Sequence, residues 1–310
     1  MRVLVTGGTG YLGRAIVRAL VARGHHPVVF ARRASGSGLP GTLVDGDVRD
    51  AAAVFDAVRD CDAVCHAAAL VSIWRRDPSE FDAVNVGGLA HALAAARALG
   101  VTRVVYTSSF LALPPAGSAS PVVANDYQRT KVAARALAVR AIADGAPVSC
   151  VYPGVVYGPG VVSEGNLVGR LVRDHLRGRL PGVVGADRTW SFSFVDDVAA
   201  GHVAALERGR PGAHYGLGGE NAPQMRVFDI VRARTGRRLP WRLPRALAIA
   251  AGAIEEGRAR LTGATPLITR GAVEIFCHDW PVDSAAATAA LGYRATPLEE
   301  GVARLLEGLT

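Results

Sequence analysis

Short runs of apolar residues recur through the first half of the chain, separated by segments with helical periodicity. The runs read "RVLVT", "HPVVFA", "DAVCHAA", "RVVYTSS" and "PVSCVYP", and none of them alternates apolar with polar residues. Between the first two lies "YLGRAIVRALVARG", in which Leu12, Ile16 and Leu20 fall on one helical face. Strands that are apolar throughout are typical of a parallel sheet with helices on both faces. We therefore predict an α/β fold built on a doubly wound parallel sheet.

The pattern loosens after Pro153, where glycine, proline and arginine interrupt the apolar runs. One more strand and helix are predicted from "WSFSFV" and "DDVAAGHVAALERG", and the remaining segments are short. Open α/β sheets bind ligands at the carboxyl ends of their strands. We predict a sheet domain over residues 1–155 and a smaller C-terminal lobe, mainly substrate-binding, over residues 156–310. Residues 190–208 are predicted to return to the main sheet.

A glycine-rich loop, "TGGTGYLG", joins the first predicted strand to the first predicted helix and contains Gly7, Gly10 and Gly13. A phosphate group needs close backbone approach, which glycine permits, and free N–H donors, which a helix N-terminus supplies. A glycine pattern alone is a weak signal. Here it lies in the strand-loop-helix context that the binding requires, so we predict a dinucleotide site.

The end of the second strand indicates which dinucleotide binds. An NAD site usually has Asp or Glu there, about 20 residues beyond the loop, to hold the ribose 2′-hydroxyl. This chain instead has Arg32 and Arg33 after "HPVVFA", and two guanidinium groups can clamp a 2′-phosphate. We predict NADP, with NAD left open as an alternative. Asp47, in "DGDVRD", is expected to accept a hydrogen bond from the adenine amino group.

Lys131 is the only lysine among the 35 basic residues of the chain. It follows Tyr127 by four positions in a helical stretch, so the two side chains share one face. An ammonium beside a phenol favours the phenolate, and we expect it to lower the tyrosine pKa toward the working range of an acid–base catalyst. Ser109, at the end of "VYTSS", is favoured over Ser108 as donor to the substrate carbonyl oxygen.

Composition excludes several other classes of protein. Half of the 310 residues are hydrophobic, which is enough for a large core. The net charge of +8 comes from scattered arginines, so we expect a basic surface and no nucleic-acid partner. Cys61, Cys65, Cys150 and Cys277 lack the spacing of a zinc site, so no metal is predicted and a reducing compartment is expected.

The targeting signals in the sequence are weak. The N-terminal "MRVLVTGG" starts directly with a strand, unlike a signal peptide, so we expect a cytoplasmic protein. The apolar run "ALAIAAGAI" at 246–254 is too short to span a membrane. It is interpreted as a helix packed on the rest of the protein, with peripheral membrane contact as a minor alternative. Alanine-rich helix faces leave a homodimer open.

Taken together, these motifs resemble those of the extended short-chain dehydrogenase/reductases, in the NAD-dependent epimerase/dehydratase superfamily. The resemblance is closest to the branch of dihydroflavonol 4-reductases and 3β-hydroxysteroid dehydrogenases. The matching motifs run from "TGGTGYLG" through "HAAA", "NVGG", "YTSS", "YQRTK" and "YPGVVYGPG" to "SFVDDVAAG" and "HYGLGGEN". The resemblance implies a Rossmann fold and a catalytic set of Ser109, Tyr127 and Lys131, with Asn85 ordering the lysine side. The cofactor-binding residues that it implies are Thr6, Gly7, Gly10, Tyr11, Leu12, Gly13, Arg32, Arg33, Asp47, Val48, Ala67, Ala68, Ala69, Tyr127, Lys131, Pro153, Gly154 and Val156.

Two departures from the family pattern argue against a dehydratase and against a nucleotide-sugar epimerase. Dehydratases in the family have an Asp-Glu pair where Phe110 and Leu111 stand, and epimerases often have an Arg-Asp pair where Trp190 and Ser191 stand. The predicted substrate contacts are apolar for the most part and comprise Leu70, Trp74, Ser109, Phe110 and Trp190, with Val71, Ile73, Leu111 and Phe192 as further candidates.

Three functions remain open at the sequence level. The leading hypothesis is an NADP(H)-dependent oxidoreductase that reduces a carbonyl, or oxidises a secondary alcohol, of a hydrophobic small molecule. A sugar or nucleotide-sugar epimerase with a retained cofactor is the second. A non-catalytic dinucleotide-sensing protein is the third, and the intact pair of Tyr127 and Lys131 argues against it.

Overall fold

The computed structural model describes residues 1–309, in which ten strands form two sheets. The seven-stranded sheet is parallel throughout and has the order β3-β2-β1-β4-β5-β6-β9, and the three-stranded sheet has the order β10-β8-β7. The strands are β1 Arg2–Thr6, β2 His26–Ala31, β3 Thr42–Asp45, β4 Ala63–His66, β5 Val104–Thr107, β6 Val148–Pro153, β7 Val155–Tyr157, β8 Thr189–Phe194, β9 His214–Leu217 and β10 Glu220–Pro223.

Twelve α-helices connect and cover these sheets within the same range. They are α1 Tyr11–Ala22, α2 Ala51–Val58, α3 Ser79–Asp82, α4 Gly88–Ala98, α5 Asp126–Ala143, α6 Leu167–Leu176, α7 Val195–Arg208, α8 Met225–Thr235, α9 Arg245–Thr262, α10 Arg270–Phe276, α11 Ala285–Leu291 and α12 Leu298–Glu307. A π-helical turn, Ala83–Gly87, precedes α4, and a 3₁₀ turn, Phe110–Ala112, follows β5.

The strand order confirms the predicted doubly wound parallel sheet. From β1 the chain moves outward to β2 and β3, then returns to place β4 on the other side of β1. The loops after β1 and β4 therefore diverge and leave a crevice at the carboxyl edge of the sheet, which is where this fold binds ligands. Helices α1, α7 and α11 cover one face, and α2, α4 and α5 cover the other.

The second half of the chain is arranged differently from the expectation for residues 190–208. Helix α7 does return to the main sheet, where it packs against α1. Strand β8 instead pairs with β7 and β10 in the small sheet. The seventh strand of the main sheet is β9, in a segment interpreted from sequence as part of the lobe. Four-residue strands such as β9 and the edge strand β3 carry too few residues to show a period.

Candidate active site

The glycine loop after β1 is held in a conformation that side chains would disrupt. Gly7 has φ +69°, and its N–H donates to the Phe30 carbonyl at 2.9 Å. A Cβ on Gly7 would lie 2.7 Å from the backbone of Ala68, and a Cβ on Gly13 would lie 2.2 Å from the Gly7 carbonyl oxygen. The loop, the first turn of α1 and the segment after β4 are thus in backbone contact.

The N-terminus of α1 has the properties of an anion site. Gly10 caps the helix in an extended conformation without a side-chain cap, and the first turn contains no acidic residue. A Cβ on Gly10 would meet only the Gly7 carbonyl, so the outer side of the loop is open. Free N–H groups, the positive end of the helix dipole and this space fit a dinucleotide pyrophosphate.

The segment Ala67–Ala69 borders the loop from the β4 side. Its Ala68 N–H donates to Thr6 Oγ1 at 3.2 Å, and Thr6 Oγ1 lies 3.0 Å from His66 Nδ1. Burial lowers the pKa of His66 to about 3, so its imidazole is neutral near pH 7. Thr6 and His66 therefore have a structural role in fixing the alanine segment.

At the end of β2, Arg32 and Arg33 are both exposed. Within residues 1–309 neither guanidinium forms a hydrogen bond or an ion pair, so both are available to a phosphate. Asp47 is not free, because Arg49 holds its carboxylate at 2.6 Å and thereby lowers its pKa. Val48 is buried, and its carbonyl accepts a hydrogen bond from His91 Nδ1 at 2.9 Å.

Helix α5 brings Tyr127 and Lys131 to the crevice. The Asn125 side chain caps the helix by accepting from the Gln128 N–H at 2.8 Å. Lys131 is buried, and its Nζ donates to the Thr107 carbonyl at 3.2 Å and lies 6.0 Å from the centre of the Tyr127 ring. Burial lowers the pKa of Lys131 to about 8 from an ordinary 10.5.

The expected lowering of the Tyr127 pKa is not found in this structure. Burial raises the pKa of Tyr127 to about 12, and only hydrogen bonding to Ser109 opposes this. The predicted direction of the pKa shift was wrong because burial of the phenol outweighs any effect of the ammonium. The Lys131 ammonium is itself desolvated and is directed at the Thr107 carbonyl. The phenol is accordingly held in its protonated, hydrogen-bond-donating form.

Both serines of the β5 end face the same space. Ser109 Oγ accepts from the Leu111 N–H at 3.2 Å, and its hydroxyl is near enough to the Tyr127 phenol to lower the pKa of that phenol slightly against the effect of burial. Ser108 Oγ is buried without a hydrogen-bond partner in the described chain. Both serines line the cavity, so the choice of Ser109 as the serine of the set stays a prediction.

Asn85 forms no direct hydrogen bond to Lys131 and contacts its neighbour Thr130 instead. Its Nδ2 donates to Thr130 Oγ1 at 2.9 Å, and its Oδ1 accepts from the Leu70 N–H at 2.7 Å. It lies in the π-helical turn before α4. π-turns inside helices are frequent at functional sites. Asn85 thus ties the Ala67–Leu70 segment to α5 and positions Lys131 through its neighbour Thr130.

One cavity joins these groups. The predicted residues that line it are Gly10, Tyr11, Leu12, Gly13, Ala67, Ala69, Val71, Ile73, Ser109, Phe110, Leu111, Tyr127, Lys131, Pro153, Gly154, Val156 and Trp190. Leu70 and Trp74, predicted to touch substrate, do not line it, and Phe192 is buried in the small sheet. The predicted cofactor contacts Thr6, Gly7, Arg32, Arg33, Asp47, Val48 and Ala68 are not part of the lining either.

Sequence reasoning missed the wall that α10 contributes. Ala272, Ile275 and Phe276 line the cavity together with Tyr127. Phe276 stacks on Trp190, with ring centres 4.9 Å apart and planes 25° apart. The helix comes from a segment with no motif, so nothing in the sequence indicated its place. Apart from Lys131, the only cation in the lining is Arg170, from α6.

Comparisons with known proteins show the family of this chain. Residues 3–218 match the profile of the NAD dependent epimerase/dehydratase family. The chain belongs to this family. It is therefore an NAD(P)-dependent enzyme of the extended short-chain dehydrogenase/reductase type, with a nicotinamide dinucleotide as cofactor.

The similar proteins include several reductases. The chain is 35% identical to sterol demethylase protein B of Methylococcus capsulatus, covering 77% of this chain and 76% of the relative. It is 32% identical to the 2-alkyl-3-oxoalkanoate reductase of Stenotrophomonas maltophilia, over 98% of both chains. A putative dihydroflavonol 4-reductase of Synechocystis is 28% identical over 96% of this chain and 92% of the relative. The predicted branch of the family is confirmed.

The solved structures include epimerases. The UDP-glucose 4-epimerase of Thermus thermophilus, in complex with NAD, superimposes with a TM-score of 0.77 at 26% identity, over 100% of this chain and 99% of that chain. The fold thus serves both reductases and epimerases, and the choice between them depends on the site.

Proposed function

We propose that this protein is an NADPH-dependent reductase of a carbonyl group in a hydrophobic small molecule, with Tyr127 as the proton donor. The observation that carries the proposal is the contact of the protonated Tyr127 phenol with Ser109 in a cavity whose remaining wall is largely apolar. A donor pair at one end and an apolar wall at the other suit a carbonyl compound with an apolar body.

The dinucleotide would be held by the α1 N-terminus, the Ala67–Ala69 segment and Lys131, with Arg32 and Arg33 on a 2′-phosphate. When bound, its reduced nicotinamide supplies a hydride to the carbonyl carbon. The preference for NADP rests on two guanidinium groups at the end of β2 that form no ion pair within residues 1–309, and on Arg32 and Arg33 following that strand where an NAD site has Asp or Glu.

Side chains of the protein stabilise the negative charge that develops on the carbonyl oxygen. Ser109 and Tyr127 donate hydrogen bonds to that oxygen, and Tyr127 then passes its proton to it. Lys131 would stabilise the phenolate that remains only by turning its ammonium from the Thr107 carbonyl toward Tyr127, whose ring centre lies 6.0 Å from Nζ. The pKa of Lys131, about 8, lies near neutral pH, so its ammonium can return a proton to the tyrosine.

The substrate class follows from the wall formed by Phe110, Trp190 and Phe276. Their rings pack on each other and on Trp280, so they offer a rigid apolar surface. The relative from Stenotrophomonas maltophilia is named for 2-alkyl-3-oxoalkanoates, which combine a ketone with alkyl chains. Ketones of that kind are the first substrates to test.

An epimerase is the alternative, favoured by the likeness to the UDP-glucose 4-epimerase and by Arg170 as a cation for a sugar-nucleotide phosphate. It requires a retained cofactor and gives no net oxidation of NADPH. The apolar wall argues against a sugar substrate.

The test is an assay of NADPH oxidation with 2-alkyl-3-oxoalkanoates and other hydrophobic ketones. We expect one alcohol formed for each NADPH consumed, and Tyr127→Phe should lower kcat by about 100-fold or more. Its affinity for NADPH should stay within about twofold, because the phenol adds one hydrogen bond at most to cofactor binding.

Tyr293→Phe is the matched control for this substitution. Its buried hydroxyl donates to the Gly218 carbonyl at 2.8 Å, away from the cavity, so kcat should not change. Undiminished turnover in Tyr127→Phe would refute the role of the phenol. Interconversion of sugars without NADPH consumption would replace the reductase by the epimerase.

A further inference from the structure

Helix α9 has an inverted distribution of side chains. Its buried positions are small residues, Ala248, Gly252 and Ala259. Three of its four large apolar residues point outward, with Leu247 53% exposed, Ile254 72% and Leu261 89%, while Ile249 packs against the core. A helix that served only to cover the core would bury its leucines and expose its alanines. The outward leucines therefore need another explanation.

Three of the exposed apolar residues lie on one side of α9, and two more lie in the segments that flank the helix. Leu247, Ile254 and Leu261 are seven positions apart, which places them on the same side of the helix. Trp241, just before α9, and Leu267, just after it, are 59% and 82% exposed. We call these five residues the α9 apolar face. Contiguous exposed apolar surface of this kind marks an interaction site.

The same segment concentrates positive charge. Residues 237–270 contain seven arginines and two glutamates, a net charge of +5 out of +8 for the whole chain. Both glutamates are neutralised within the segment, by Arg258 at 2.7 Å and Arg270 at 2.8 Å. In the described chain Arg237, Arg238 and Arg260 form no ion pair, so they are available to an external anion.

A further arginine extends the basic rim. Arg76, from the loop after β4, lies with Nη1 3.6 Å from where a Cβ would stand on Gly263, the residue that ends α9. It forms no ion pair among residues 1–309. Arginines therefore flank the α9 apolar face at both ends.

Helix α9 also forms the outer layer of the cavity wall. A Cβ on Gly252 would lie 2.9 Å from the backbone nitrogen of Arg270, so α9 packs closely on the start of α10. The other side of α10 supplies Ala272, Ile275 and Phe276 to the cavity. The α9 apolar face and the predicted substrate cavity are thus separated by a single short helix.

We propose that the α9 apolar face docks the protein onto the surface of a bilayer that contains anionic lipids. Protruding leucines and a tryptophan suit the boundary between headgroups and acyl chains, and unpaired arginines around them suit anionic headgroups. The charge of the rim favours this occupant over a second copy of the same chain, because two copies would bring like charges together. No helix within residues 1–309 is long and apolar enough to cross a membrane, so the helix lies on the surface.

The experiment is vesicle flotation with the full chain, using phosphatidylcholine alone and phosphatidylcholine mixed with phosphatidylglycerol. We expect binding to the mixed vesicles, weakened by added salt, and little binding to phosphatidylcholine alone. Ile254→Glu/Leu261→Glu should lower the bound fraction by about tenfold or more, because it places two charges in the apolar boundary. Both positions are highly exposed, so the variant should fold normally.

Val21→Glu is the matched control, since Val21 is a 42% exposed residue on α1, and its binding should equal that of the unchanged protein. Failure of the unchanged protein to bind the mixed vesicles would overturn the proposal, as would equal binding to both vesicle types. A dimer in solution that Ile254→Glu/Leu261→Glu converts to a monomer would also overturn it, by identifying a second copy as the occupant. NADPH oxidation with a water-soluble ketone tests the proposed function separately, and this variant should retain it.

Discussion

At the scale of single residues, the site is organised around a buried cation without an anionic partner. Within residues 1–309 the Lys131 ammonium has the Thr107 carbonyl as its one hydrogen-bond acceptor, and burial lowers its pKa to about 8. A charged group in this position costs stability in the cofactor-free protein. Such a cost is understandable if the ammonium is reserved for the ribose hydroxyls of the cofactor and for the phenolate of Tyr127.

The first prediction concerns the pH dependence of this cost. Since the folded pKa of Lys131 lies below its ordinary 10.5, the unfolded chain binds more protons between about pH 8 and 10.5, and stability rises with pH in that window. Lys131→Met should therefore raise the free energy of unfolding at pH 7 by about 1–3 kcal/mol, after allowance for the lost hydrogen bond. The gain should shrink as the pH approaches 10.5.

Urea unfolding of the cofactor-free protein and the variant at pH 7 and pH 10 measures this difference. A variant that is less stable than the unchanged protein at pH 7, or a gain of equal size at both pH values, would contradict the assignment. Lys131→Met should also have no measurable reductase activity, which separates stability from function.

The residue scale also shows which parts of the site can be predicted from sequence. Tyr127, Lys131 and Ser109 were expected to meet because helical spacing and strand ends determine where side chains lie. The predicted lowering of the Tyr127 pKa was wrong because this pKa depends on how far the surrounding structure excludes water. One sequence does not reveal that. Asp47 was expected to be free, and only the structure shows that Arg49 occupies it.

At the scale of elements, the strongest constraint is the contact between the glycine loop and the start of α1. The sequence predicted this loop correctly because glycine at these positions has a local backbone cause. Helix α10, strand β3 and strand β9 were missed, since short elements placed by long-range packing carry no periodic signal. The wall of Phe276 and Ile275 therefore became visible only in the folded chain.

The second prediction tests that contact. Gly13→Ala places a Cβ 2.2 Å from the Gly7 carbonyl oxygen, so the loop and helix must separate. We expect a loss of about 1–3 kcal/mol in unfolding free energy and a fall of about tenfold or more in dinucleotide affinity. Thermal unfolding and NADPH fluorescence titration measure the two effects.

Gly257→Ala provides the control, because Gly257 is also inside a helix but a Cβ there meets nothing within 4 Å. It should stabilise the protein slightly, by up to about 1 kcal/mol, and leave NADPH affinity unchanged. Equal behaviour of the two variants would show that the close contact at Gly13 does not matter for the cofactor.

At the scale of the whole molecule, the two sheets form different parts of the site. The seven-stranded sheet builds the dinucleotide crevice at its switch point, and the small sheet with α6, α8, α10 and α12 closes the cavity over the carboxyl edge. The proteins similar to this chain include reductases and a UDP-glucose 4-epimerase in complex with NAD. What separates the two is how the cofactor is recognised and released.

The most direct test of the reductase account is therefore a titration of the purified protein with NADPH and NADH, followed by tryptophan quenching and nicotinamide fluorescence. We predict NADPH affinity at least about tenfold higher than NADH affinity, because Arg32 and Arg33 are unpaired at the end of β2. Arg32→Ala/Arg33→Ala should abolish this preference, and Arg59→Ala, an exposed arginine elsewhere, should not. Equal or tighter NADH binding, or a protein that purifies with NAD already bound, would contradict the account and favour the epimerase.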